Sequence, residues 1–160
     1  MEEITVERII EKFNLTRLTE VPIEKKVTVS DVKRPGIELA GFFDYFTPQR
    51  VQILGRTEMS FLEELPPDVL EKRLKKLFSY DLPCLVITRG LEPPQVLIEL
   101  AKEQDIIILS GDYSTTSFVS RLTNFLEEKF APEVTKHGVL VEVYGVGVLI
   151  RGSSGIGKSE

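Results

Sequence analysis

With 160 residues, 42% of them hydrophobic and 28% charged, the chain has the make-up of a soluble globular protein, not a disordered or fibrous one. The length admits one full domain and part of another. A net charge of −5 implies no general basic surface for nucleic acid, and no apolar run approaches membrane-spanning length. A single cysteine, Cys84, excludes an internal disulfide; with the acidic start Met1-Glu2-Glu3 and no apolar leader, it predicts a cytoplasmic protein.

In chain order, Thr5 is a helix cap, and Val6, Ile9, Ile10 and Phe13 recur at helical spacing up to a stop at Asn14. Lys26 to Ser30 alternates and reads as a strand. Pro35-Gly36 marks a turn, with Ile37 to Gly41 extended after it. Phe42, Phe43, Tyr45 and Phe46 form an aromatic cluster for core or interface packing, with a ligand-facing wall as the alternative. Arg50 to Gly55 alternates as a strand ending in glycine, and Ser60 caps a short helix, Phe61 to Leu65. Pro66-Pro67 breaks that helix and opens the next. There Leu70, Leu74, Leu77 and Phe78 line one face and Lys72, Arg73, Lys75 and Lys76 the other, a solvated face or an anion or partner site.

Two strand–helix units follow: strand Cys84 to Thr88 with helix Pro94 to Glu103, then strand Ile106 to Leu109 with a helix from Thr116 to Phe130. Near-continuous apolar strands separated by single helices predict parallel pairing with both faces covered. Cys84 lies in such a strand and is expected to be buried and inert. Ala131-Pro132-Glu133 is the candidate boundary, giving an α/β domain over 1–131 and a second unit over 132–160.

The second unit carries the strongest motif. Val146 to Ile150 reads as a buried strand, and Gly152-Ser153-Ser154-Gly155-Ile156-Gly157-Lys158-Ser159 fits the phosphate-binding pattern G-x-x-x-x-G-K-[ST]. Glycines let backbone N–H groups curl around phosphate oxygens without a Cβ in the way. Lys158 would reach the β- and γ-phosphates, and the Ser159 hydroxyl would ligate Mg²⁺. The alternative is a Gly/Ser-rich tail that matches by accident. Val139 to Val143 and Val146 to Ile150 read as a hairpin turning near Gly145, which brings His137, the only histidine, beside the mouth of the loop. An imidazole there could relay a proton or stabilise a phosphoryl oxygen; the plainer reading is a loop histidine that merely precedes a strand.

The run from His137 through Ile150 into Gly152–Glu160 closely resembles the core of the HPr kinase/phosphorylase family. Weaker matches to that family's N-terminal domain are Val29-Ser30-Asp31-Val32 with Pro35-Gly36, Leu54-Gly55-Arg56-Thr57-Glu58, and Cys84 to Arg89. The resemblance implies a bifunctional enzyme of carbon catabolite repression. It would phosphorylate a serine of the phosphocarrier HPr with ATP or pyrophosphate and Mg²⁺, and remove that phosphate by phosphorolysis. It further implies a hexamer, fructose 1,6-bisphosphate as effector, and an N-terminal domain similar to that of Mur ligases, followed by the first strands and phosphate loop of a truncated P-loop kinase domain. By position, Gly152 to Ser159 correspond to the nucleotide loop, Lys158 and His137 to active-site residues and Ser159 to the metal ligand. The family's catalytic aspartate and second Mg²⁺ ligand lie beyond residue 160, so this piece alone is expected to be inactive. Two other functions stand beside this one. A Mur-type ligase would carry a shorter phosphate loop; a binding or oligomerisation module would use residues 1–130 and leave the loop vestigial.

Overall fold

A computed structural model of the chain describes residues 3–22 and 24–131. Its centre is a five-stranded sheet of order β2-β7-β6-β5-β4, made from β2 (Thr16–Arg17), β4 (Val32–Lys33), β5 (Val51–Leu54), β6 (Leu85–Ile87) and β7 (Ile108–Ser110). The four strands β4 to β7 run parallel, with Leu54 opposite Ile87 and Val86 opposite Leu109, and β2 closes one edge antiparallel, with Thr16 opposite Ser110. The sheet is thus α/β and mostly parallel, as the alternation of apolar strands and helices predicts.

The period-two geometry of a strand sorts its side chains into two layers. Val51 and Ile53, Cys84 and Val86, and Ile107 and Leu109 face one side. There they meet helix α1 (Val6–Phe13) and the last helix, α6 (Thr115–Phe130). Leu54, Leu85, Ile87, Ile106 and Ile108 face the other side. They pack under α2 (Gly36–Leu39), α3 (Arg56–Glu64), α4 (Pro67–Phe78) and α5 (Gln95–Glu103). Burial on both faces is why these strands read as continuous apolar runs. β1 (Ile4–Thr5) and β3 (Lys26–Val27) form a separate antiparallel pair that sends Ile4 and Val27 into the α1/α6 layer. Among the described residues, no helix is long and apolar enough to cross a membrane.

Several local expectations hold. Thr5 caps α1 through its hydroxyl to the Arg8 N–H (3.2 Å), and Asn14 ends it in the left-handed conformation at φ 54. Others are corrected. Residues 37–39 are helical, not extended, because Pro35 starts a single turn that buries Leu39 and the Glu38 carboxylate, the latter 3.1 Å from Lys33 Nζ. Helix α3 starts at Arg56, well before Ser60, because Glu58 accepts a hydrogen bond from the Gly55 N–H (2.7 Å) and so caps the turn from inside the helix. The strand expected over 26–30 is limited to Lys26–Val27, and β2 and β4, two residues each, carry too little pattern to be read from sequence. The aromatic cluster divides: Phe43 and Phe46 turn inward onto Tyr80, with ring centroids 5.9 and 5.0 Å away, whereas Phe42 and Tyr45 face solvent.

Candidate functional site

In an open α/β sheet, ligands bind outside the carboxyl ends of the parallel strands. Here that edge is largely filled by the chain itself. Residues Gly55, Thr88 and Gly111 follow β5, β6 and β7 directly. The first turn of α6 reaches back over them: Thr115, buried, places Oγ1 2.7 Å from Thr88 Oγ1. Gly55 lies beneath it, and a Cβ there would collide with Thr115 Oγ1. The glycine is required by close approach rather than by a positive φ.

Beside this contact sits a part-buried ion pair, its carboxylate covered and its guanidinium partly in solvent. Arg34, just past β4, grips Glu58 of α3 with two parallel hydrogen bonds, Nε to Oε2 at 3.1 Å and Nη2 to Oε1 at 2.9 Å. Glu58 is only 6% exposed, and its Oε1 also accepts the Gly55 N–H. The carboxylate therefore joins three elements, and its charge is answered twice, by a guanidinium and by a backbone donor. Arg89 and Gly90, at φ 59 and 60, turn the chain sharply after β6. Their N–H groups donate to Tyr113 O (2.8 Å) and Gly111 O (3.0 Å), which locks the β6 and β7 exits together.

These polar groups satisfy one another, so the edge is a brace, with neither a nucleophile nor a general base left poised in it. Among the described residues, no group of three or more His, Cys, Asp or Glu is placed to hold a metal. Cys84 is fully buried, and desolvation pushes its thiol up to about 12, so the expectation of an inert cysteine holds. A cleft of about 400 Å³ opens beside the β6 exit, between Leu18, Gly90, Leu91, Glu92, Ile98 and Ser110.

The site that the sequence singles out lies elsewhere. His137 and the loop residues Gly152, Ser153, Ser154, Gly155, Ile156, Gly157, Lys158 and Ser159, with the hairpin before them, lie outside the described residues. What sequence reading missed in the described unit is the Arg34–Glu58–Gly55 brace and the Thr88–Thr115 contact. The first had a visible signal, a glycine followed three residues later by glutamate, the spacing of a helix cap. The second had none, because Thr88 and Thr115 are far apart in the chain.

Comparison with known proteins assigns the chain in two consecutive pieces. Residues 4–126 match the family described as HPr Serine kinase N terminus, and residues 128–160 match the HPr Serine kinase C-terminal domain. An HPr kinase/phosphorylase of Clostridium perfringens (strain SM101 / Type A) is 50% identical over 157 residues, covering 98% of this chain and 51% of that protein. An HPr kinase/phosphorylase of Caldanaerobacter subterraneus subsp. tengcongensis is 48% identical over 161 residues, covering 100% of this chain and 53% of that protein. The chain spans about half the length of the curated relatives it matches. In fold it is similar to a solved structure of the CBS and DRTGG domains of the regulatory region of Clostridium perfringens pyrophosphatase, complexed with the activator diadenosine tetraphosphate. That likeness has a TM-score of 0.53 and 18% identity over 74% of this chain and 45% of the other. The α/β unit described above, matched from β1 to the last turns of α6, belongs to the HPr serine kinase N-terminal family.

Proposed function

We propose that this chain is part of a bifunctional HPr kinase/phosphorylase, an enzyme that phosphorylates a serine of HPr and removes that phosphate by phosphorolysis, in the control of carbon catabolite repression. The observation that carries the reading is the match to both family domains in order, with about half of all residues identical to named HPr kinase/phosphorylases over nearly the whole chain. In this reading residues 1–131 are a non-catalytic α/β domain similar to that of Mur ligases, and residues 132–160 begin the catalytic P-loop unit. The full protein works in the cytoplasm as a homo-oligomer, hexameric in the family, with fructose 1,6-bisphosphate as effector.

The residue types in the loop suit the chemistry. Backbone N–H groups of Gly152 to Gly157 would cradle the phosphates of ATP or pyrophosphate, and Lys158 would neutralise their charge. The Ser159 hydroxyl, a hard oxygen donor, suits Mg²⁺, which when bound draws charge from the phosphoryl oxygens. His137 would hold or pass a proton beside them. A serine acceptor must also be oriented and deprotonated, which these residues alone do not accomplish.

Two measurements test the reading. Calorimetric titration of ATP and pyrophosphate with Mg²⁺ into the 160-residue chain should show binding that Lys158→Ala abolishes. The 160-residue chain with HPr, ATP and Mg²⁺ should show no turnover, while the full gene product forms phosphoserine on HPr. A full gene product that leaves HPr unmodified under both donors would overturn the proposal.

A further inference from the structure

Two neighbouring parallel strands part company at their carboxyl ends. After β6 the chain turns into α5, which packs in the layer of Leu54 and Ile87. After β7 it turns into α6, which packs in the opposite layer, with Ile53 and Val86. The strands themselves are paired, with Ile87 opposite Ser110. Where adjacent parallel strands send their connections to opposite faces a crevice opens, and small molecules bind in such crevices. The cleft of about 400 Å³ beside the β6 exit lies there, within the ~300–1,000 Å³ range of small-molecule sites. Gly90, at φ +60, brings bare backbone to its mouth; a Cβ there would stand 3.5 Å from Asp112 Oδ1.

The lining decides what fits. Leu18, Leu91 and Ile98, all half-buried, supply an apolar wall. Glu92, Gln95 and Ser110 supply the polar groups, and among the described residues no lysine or arginine lines the cleft. Glu92 is exposed, and among the described residues its charge has no ion-pair partner. A carboxylate with no cation beside it repels phosphates and carboxylates, and one carboxylate is too few to hold a metal. An apolar wall edged by a carboxylate, an amide and a hydroxyl suits a flat heterocycle that offers N–H donors. Guanine sets two adjacent donors, N1–H and the N2 amino group, against the two oxygens of one carboxylate, and its O6 and N7 accept from an amide or a hydroxyl. Adenine, cytosine and uracil each turn a bare acceptor toward the same carboxylate. We propose that this cleft binds a guanine base. Its faces lie against Leu18, Leu91 and Ile98, its N1–H and N2 amino group donate to Glu92, and Gln95 and Ser110 donate to O6 and N7.

Amide shifts of the ¹⁵N-labelled 160-residue chain, followed while guanosine or adenosine is titrated in, test it. Guanosine carries no phosphate for residues 152–159 to hold, so its binding does not depend on the kinase reading. Guanosine should move the amides of Gly90, Leu91 and Ser110 along a saturable curve, and adenosine should bind at least about tenfold more weakly, because it leaves a carboxylate facing an acceptor. Glu92→Gln, an exposed and isosteric change, should weaken guanosine roughly tenfold or more while the amides away from the cleft keep their positions. Ile98→Trp, which fills the cleft, should abolish the shifts. GMP run beside guanosine tells a nucleotide from a nucleoside as the source of the base, and saturable shifts at the same three amides with either support the site. Wild-type amides at the cleft that stay still up to the solubility limit of guanosine overturn the proposal. So does equal binding of adenosine, or guanosine binding that Glu92→Gln leaves unchanged.

Discussion

At the scale of single residues, the carboxyl edge of the sheet depends on atoms that are absent as much as on those present. Gly55 sits where a Cβ would strike Thr115 Oγ1, and Thr115 is held by Thr88. Gly55→Ala should therefore destabilise the chain by about 1–3 kcal/mol in a urea melt, the usual cost of an added methyl in a packed site. Thr115→Ala in the same chain should recover part of that loss, and strictly additive losses would show that the contact is not the cause. Cys84 makes a second residue-scale test. Burial raises its thiol to about 12, above its ordinary value, so the folded state keeps the proton that the unfolded chain releases near pH 9. Stability from this group is complete below that pH and falls as pH rises toward 12. At pH 8 the native chain should resist iodoacetamide, while the urea-unfolded chain reacts at once; rapid labelling of the native chain would refute the burial. The inertness of Cys84 was legible from its apolar neighbours. The need for glycine at 55 was not, because it arises from a partner sixty residues later in the chain.

At the scale of elements, the long periodic helices were readable and the short strands were not. Helix α6, with Phe118, Leu122, Phe125 and Leu126 buried, shows one apolar stripe over four turns, a pattern that few other structures could satisfy. The two-residue strands β2 and β4 owe their existence to neighbours: β2 is held by β7 and by Thr19, whose hydroxyl donates to Ile106 O and accepts from the Ile108 N–H. No period can appear in two residues. The start of α3 is hidden in the sequence for a different reason: its capping group, Glu58, follows the cap instead of preceding the helix. Glu58→Ala removes the cap and strands the Arg34 guanidinium together, and should cost about 3 kcal/mol, in the range for breaking a part-buried pair. Arg34→Ala alone should cost nearly as much because it leaves a buried carboxylate behind. A double-mutant cycle should then give a coupling above about 1 kcal/mol; losses that simply add would show that the two side chains act apart. Lys72→Ala, by contrast, should change stability by less than about 0.5 kcal/mol, since that side chain is solvated on α4.

At the scale of the whole molecule, the central sheet separates two apolar layers that share no side chain. Ile53 belongs to the α1/α6 layer and Leu74 of α4 to the opposite one. Both are fully buried. This three-layer arrangement was legible in outline, because strands that are apolar at every position must be covered twice. Which helix lies on which face was not, since α3, α4, α5 and α6 all carry one apolar stripe, and only the handedness of each crossover assigns them. The layers make a quantitative expectation. Ile53→Ala and Leu74→Ala should each cost about 2–5 kcal/mol, the price of a cavity that its surroundings cannot close. Because the backbone of the sheet lies between them, the two cavities cannot relax into one another, and the double variant should lose the sum of the single losses to within about 0.5 kcal/mol. Leu74→Ala with Leu77→Ala, two neighbours in one layer, should depart from that sum, because one collapse can serve both. Both layers nonetheless hang on the same short strands, so each variant should unfold in a single transition with an unchanged urea slope. Two separated transitions for Ile53→Ala, one for each layer, would mean that the faces fold independently and that the sheet does not couple them.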